Sequence, residues 1–79
     1  MSFNEKLKIS RKSCGMTQRS VAEFLGISER AYQHYENGSR EPNIDTLVRL
    51  SILFKISLDE LLCRDDYLKF LEESAGESL

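Results

Sequence analysis

Two cysteines, one histidine and one proline are all this sequence holds of the residues that most often build metal centres, nucleophilic sites and hard chain breaks. Cys14 and Cys63 lie far apart in the chain, and His34 is remote from both. Zinc ligands come in short-range pairs, so no metal is expected. The N-terminus lacks a basic stretch leading into an apolar run and a small-residue cleavage site, so nothing marks the chain for export and the thiols are expected to be reduced. A single histidine, no glycine-rich phosphate loop and no nucleophile motif leave nothing to assemble into a catalytic centre; the expectation is no enzyme and no cofactor. Long apolar runs are missing too. Leu50 to Phe54 is among the longest uncharged stretches, far short of the ~20 apolar residues a membrane span needs. A cytoplasmic protein without membrane contact is expected.

What is present suits a small folded domain. The chain has 79 residues, 41% hydrophobic and 30% charged, too apolar for a wholly disordered chain. That length predicts one domain, with no second sensing domain and no small-molecule ligand. Net charge is −2, but it is polarised. Residues 1–40 carry seven basic groups (Lys6, Lys8, Arg11, Lys12, Arg19, Arg30, Arg40) against four acidic ones, giving +3; residues 41–79 carry four against nine, giving −5. A chain so divided presents a basic face to phosphates while its other end repels them.

Helix signals recur at short intervals, and no window alternates with the period of a strand. The chain reads as all-α. Ser2 with Glu5 predicts a capping box, followed by a helix to about Cys14 that stops at Gly15. Thr17 caps a second helix through Leu25, ended by Gly26. Ser28 caps a third, running to Glu36 and closed by Asn37 and Gly38. Pro42 places 39–42 in a loop and makes Asn43 the next cap, opening an apolar helix to Phe54. Lys55 follows where glycine is easier. Ser57 with Glu60 predicts another capping box and a fifth helix through Leu61 and Leu62, and Asp65 or Asp66 starts a last helical piece bearing Tyr67, Leu68, Phe70 and Leu71, before a polar tail expected to be disordered. The domain is expected over 1–64, with a C-terminal extension over 65–79.

The informative stretch runs from Gln18 to Tyr35. Ala22 is small enough for a second helix to approach closely, Gly26 permits a left-handed turn, Ile27 plugs that turn, and Val21, Leu25, Tyr32 and Tyr35 supply buried sides. This spacing is that of a helix-turn-helix. Together with Gly15-Met16-Thr17-Gln18, Val21-Ala22, Leu25-Gly26-Ile27-Ser28, Glu36-Asn37-Gly38 with Arg40 and Pro42, and Ser57-Leu58-Asp59-Glu60-Leu61-Leu62, it resembles the Xre type of bacterial and phage regulators, which includes the phage repressors and Cro proteins. The resemblance spans roughly residues 3–63. It implies a compact five-helix, repressor-like domain with a short C-terminal helical extension. Such a domain binds operator DNA as a homodimer with its third helix in the major groove. The chain departs from the family at Tyr32, usually a branched aliphatic, at Ser10, usually leucine, and at Lys55, usually glycine.

At 100° per residue, the third helix turns Arg30, Gln33 and Asn37 away from the core, with Glu29 and His34 at the edges of that face. Arg30 suits guanine, Gln33 suits adenine, Glu29 accepts from a cytosine amino group and His34 donates to guanine N7. The family's base readers match Glu29, Arg30 and His34, and helical geometry adds Gln33. An ordinary solvated face with a Glu29–Gln33 pair one turn apart is the alternative. Gln18 matches the family residue that holds a phosphate at the second helix's N-terminus. Asn37, Ser39 and Arg40 form a second phosphate cluster, with Lys12 and Arg19 as weaker members. The resemblance further implies that Arg11 pairs with Glu36. Leu61, Leu62, Tyr67, Leu68 and Leu71 are expected in the dimer interface, the alternative being that they complete the core.

The expected function is therefore a sequence-specific regulator of transcription, a repressor on a palindromic operator in double-stranded DNA. An antitoxin or a restriction-modification control protein uses the same domain. A protein-interaction module without DNA affinity is the alternative suggested by the acidic total.

Overall fold

The computed structural model describes residues 1–63. Five helices follow one another along the chain: α1 Phe3–Ser13, α2 Gln18–Leu25, α3 Glu29–Asn37, α4 Ile44–Phe54 and α5 Leu58–Leu61. Each start has the same local cause. Ser2, Thr17, Ser28, Asn43 and Ser57 sit in extended backbone immediately before their helices, and each side-chain oxygen accepts from the backbone N–H three residues on. That satisfies one otherwise orphaned donor per helix and stabilises each by about 1 kcal/mol.

The reciprocal capping box falls where the serine–glutamate pattern does not point. Thr17 Oγ1 accepts from Ser20 N, and Thr17 N donates to Ser20 Oγ, both at 3.0 Å. Serine replaces the usual Glu or Gln at the third helical position. At α5 the Glu60 carboxylate instead accepts from Lys6 Nζ at 3.4 Å, tying the fifth helix to the first.

Helix ends follow backbone permissiveness. Gly26 and Gly38 close α2 and α3 in the left-handed region, which glycine adopts without the Cβ penalty. α3 runs through Asn37, one residue beyond the sequence reading. Lys55 closes α4 with φ 56° and ψ 41°. The expected glycine conformation is thus kept by a residue that has to bear its cost.

The core gathers Leu7 of α1, Val21, Ala22 and Leu25 of α2, Tyr32 of α3, Leu50 and Phe54 of α4 and Leu61 of α5. Phe3, Met16, Ile27, Tyr35, Leu53 and Ile56 pack around it, half-buried. Tyr32 fills the aliphatic position entirely, its ring edge-on to Tyr35 with centroids 6.3 Å apart. Ser10, at the expected leucine position, is also buried. Leu61 requires a correction. It is wholly inside the core, because the short α5 turns its one buried side chain inward, and it has no surface to offer a partner. Leu62 is 38% exposed. Tyr67, Leu68 and Leu71, with the 65–79 extension, lie outside the described residues. Among the described residues no helix is long and apolar enough to cross a membrane.

Candidate nucleic-acid interface

α2 and α3 are joined by Gly26, Ile27 and Ser28. Gly26 turns the chain, and Ile27 N donates back to Ala22 O at 3.0 Å, so α3 leaves at a fixed angle across α2. Ala22, 1% exposed, lets the helices close on one another. This packing sinks Tyr32 and leaves Glu29, Arg30, Gln33 and Asn37 exposed along the opposite side of α3, with His34 half-buried at its margin. Among the described residues, His34 Nδ1 is buried without a hydrogen-bond partner.

The polar residues on this face are not equivalent. The guanidinium of Arg19, at the start of α2, lies 3.9 Å from the Glu29 carboxylate, and both side chains are well exposed. Glu29 therefore faces Arg19 on the neighbouring helix rather than Gln33 on its own. Gln33 Nε2 donates to Gln18 Oε1 at 3.3 Å. Gln18 Nε2 in turn donates to Glu36 Oε1 at 3.2 Å. At the exit of α3, the Asn37 side-chain oxygen accepts from Ser39 N at 2.9 Å and from Ser39 Oγ at 2.6 Å. The turn thereby holds Asn37 with its amide nitrogen as the remaining donor, and the Ser39 proton is used within the loop. Arg40 N donates to His34 O at 3.2 Å, fixing the following strand of chain.

Beneath this face lies an ion pair joining the first and third helices. Arg11 Nε donates to Glu36 Oε2 at 2.6 Å and Nη2 to Oε1 at 3.2 Å, while Nη1 donates to Met16 O at 2.9 Å. Both side chains are at least nine-tenths buried. The forked geometry matches guanidinium to carboxylate and satisfies most of the charge locally. Hydrogen bonding to Glu36 raises the Arg11 pKa. Burial pushes the Glu36 carboxyl up, but the hydrogen bonds led by that from Arg11 outweigh it and hold the group below its ordinary value. Burial first, and the adjoining Glu36 carboxylate second, drive the Tyr32 phenol far above its usual range. Among the described residues its hydroxyl has no partner in hydrogen-bond geometry.

One residue of this surface escaped the sequence reading. Lys8 lines an open polar hollow together with Gln18, Gln33, Glu36 and Asn37. The signal was available: Lys8 precedes Arg11 by three residues on one helical face, so a pair between Arg11 and Glu36 brings Lys8 to the end of α3 as well. Lys8, Lys12, Arg30 and Arg40 have no side-chain hydrogen bond or ion pair among the described residues.

The helix-turn-helix sequence profile matches residues 7–61. The chain belongs to the Xre/Cro-type helix-turn-helix family. This family comprises transcriptional regulators, not catalysts. Among its members, the chain is 42% identical over 77 residues to the uncharacterized HTH-type transcriptional regulator YqaE of Bacillus subtilis, covering 98% of this chain and 66% of that one. It is 41% identical over 69 residues to the HTH-type transcriptional regulator ImmR of the same organism, covering 87% and 54%. The helix-turn-helix domain superposes on the P22 c2 repressor, solved in complex with a synthetic operator, with TM-score 0.73 at 29% identity, covering 78% of this chain and 94% of that one. The chain spans between about half and two thirds of the length of these two curated relatives.

Proposed function

We propose that this protein binds double-stranded DNA through the exposed face of α3 and represses transcription as a homodimer on a palindromic operator. The observation that carries the reading is the concentration of uncommitted cationic side chains around that face. Arg30 stands on it, Lys8 lines the polar hollow beside it and Arg40 follows its end, none of these side chains with a hydrogen bond or ion pair among the described residues. A surface that leaves its positive charges unpaired beside a helix N-terminus is suited to a polyanion. The likeness to a phage repressor solved on operator DNA supports the same occupant.

In this reading α3 enters the major groove, with Arg30 as principal base reader and Glu29, Gln33 and His34 beside it. Arg30 lies near the helix N-terminus, and its planar fork matches guanine O6 and N7. Gln18, Asn37, Arg40, Lys12 and Arg19 supply phosphate contacts, to which Lys8 is added. Ser39 joins them only by surrendering its bond to Asn37. Reading by Glu29 likewise competes with Arg19 for the same carboxylate. Two domains would address half-sites about one helical turn, ~34 Å, apart.

Selection of bound sequences from random duplex DNA tests the proposal, followed by titration of wild type and Arg30→Ala against the selected site, its single-base variants and unrelated DNA at fixed salt. Arg30→Ala is expected to cost about 1–3 kcal/mol on the selected site and to relax preference at one base pair per half-site. Equal losses on every duplex would make Arg30 a phosphate contact. Selection of no sequence at all would refute DNA recognition.

A further inference from the structure

α4 turns an apolar face to solvent. Ile44, Val48 and Ile52 follow one another at intervals of four residues, and Ile44 and Ile52 are the two most exposed large hydrophobic side chains among the described residues, at 77% and 67%. The buried Leu50 and Phe54 lie on the opposite side of the same helix, so the stripe adds nothing to the core. A contiguous run of branched aliphatic side chains left in water marks a surface that another surface covers.

The polar groups along its margins are set for such a cover. On one margin Ser51 Oγ donates to Val48 O at 2.7 Å, so its hydroxyl is satisfied within the helix. On the other stand Asp45 and Arg49, one turn apart yet not paired with each other. Arg49 reaches across to α2 instead, where Nη2 donates to Phe24 O at 3.5 Å and the guanidinium carbon lies 5.6 Å from the centre of the Phe24 ring. That contact restrains the side chain and leaves most of its N–H donors open. The Asp45 carboxylate has no ion pair or hydrogen bond among the described residues.

Opposite charges one turn apart on one margin complement a second copy of themselves in a single direction. When two such helices pack stripe to stripe about a two-fold axis, the same margin of each faces the other. A parallel pair sets Asp45 against the partner's Asp45 and Arg49 against the partner's Arg49, which repels. An antiparallel pair centred on Val48 sets Ile44 against the partner's Ile52 and Val48 against the partner's Val48. At 1.5 Å per residue it also brings Asp45 to within ~3 Å of the partner's Arg49 along the helix axis. Both charge pairs then form at once.

We propose that two copies of the chain meet on this face, α4 against α4 in antiparallel register about Val48, with Asp45 of each paired to the partner's Arg49. The proposal rests on the homodimer reading above and deepens it by naming the surface and its direction. The interface is small, so association is weak in free solution and is reinforced by neighbouring half-sites on one duplex.

Charge reversal in the full chain tests the direction. Asp45→Arg and Arg49→Asp each set like charges at both contacts, and each is expected to weaken self-association at least about fivefold in sedimentation equilibrium at low salt. Mixed in equal amounts, the two proteins should associate again, since each carries the charge that the other lacks. The double variant re-forms both pairs with exchanged signs and should return to within about threefold of wild type. Val48→Glu puts two carboxylates together on the two-fold axis and should weaken the dimer at least about tenfold. Asp45→Arg and Val48→Glu replace exposed side chains without partners, so their thermal unfolding should stay close to that of wild type and keep the test open where Arg49→Asp, which gives up Phe24, fails to fold. Single reversals that associate like wild type, or a double variant no tighter than the singles, overturn the register. A dimer that also survives Val48→Glu overturns the α4 surface while the homodimer reading stands elsewhere. A wild type that stays monomeric, alone and on its selected operator, overturns the inference and the homodimer reading together and leaves this face to a different protein.

Discussion

Glu36 accepts hydrogen bonds from two helices other than its own, from Arg11 of α1 and Gln18 of α2, and its backbone oxygen accepts from Asn4 at 3.4 Å. One carboxylate thus fixes the end of the proposed recognition helix against the rest of the domain. Removing either partner of the Arg11–Glu36 pair strands a buried charge, at a cost that reaches about 3 kcal/mol, whereas replacing both relieves it. Glu36→Ala and Arg11→Met should each destabilise by roughly that amount, and the double variant should lose clearly less than the sum in chemical denaturation. The depressed pKa of Glu36 adds a pH dependence with a definite sign. Its stabilisation is fully present above the ordinary glutamate pKa of about 4.3 and is lost as pH falls through the lower folded value. Thermal unfolding between pH 7 and 3 should show wild type losing more stability over the acid limb than Glu36→Gln. Neither residue was placed by periodicity. Both were legible through the family resemblance, because two residues 25 positions apart share no local pattern.

Within the elements, the helices were legible because their starts are chemically marked. Cap residues, glycine exits and the lone Pro42 divide the chain at positions that local backbone physics dictates. The misreadings have equally local causes. Serine at the third position of α2 hid the true capping box, and α5 is too short for its periodicity to show that Leu61 points inward while Leu62 does not. α4 ends on Lys55 in the left-handed region at φ 56°, a conformation costing a residue with a Cβ about 1–2 kcal/mol. Glycine removes that strain but loses more chain entropy on folding. Lys55→Gly is therefore expected to raise stability by a net ~0.5–1 kcal/mol, measured by urea unfolding, with no change in affinity for DNA. A loss of stability would mean that the Lys55 side chain contributes more than its backbone costs.

Across the described residues, the unpaired cations and the longest exposed apolar stripe lie on different helices. Arg30 on α3, Lys8 on α1 and Arg40 after α3 are exposed without side-chain partners among the described residues, while Ile44, Val48 and Ile52 leave an exposed apolar stripe at four-residue spacing along α4, beside the exposed Arg49 and Lys55. Near its start, Leu62 borders a groove lined by Phe3, Glu41, Pro42 and Leu47. The stripe and the groove support the proposed dimer, with its partner surface on α4 and Leu62. Which leucines remain available was not legible in the sequence, since that depends on how α5 docks on α1 and α4. Arg40→Ala, on the cationic side, should weaken binding to selected and unrelated DNA alike and flatten the log-log salt dependence by up to about 1. On the apolar side, Leu62→Glu places a charge on a surface that is already 38% exposed, so the monomer should keep its thermal stability to within about 0.5 kcal/mol. In the proposed dimer the same carboxylate would be desolvated without a partner, which is far more costly. Sedimentation equilibrium should therefore show at least a tenfold weaker dimer for Leu62→Glu, and operator binding should require correspondingly more protein. Truncation before Asp65 separates the remaining contributors. A truncated chain that still dimerises with wild-type strength clears Tyr67, Leu68 and Leu71 of the role, and a Leu62→Glu protein that also dimerises unchanged moves the interface off this groove altogether.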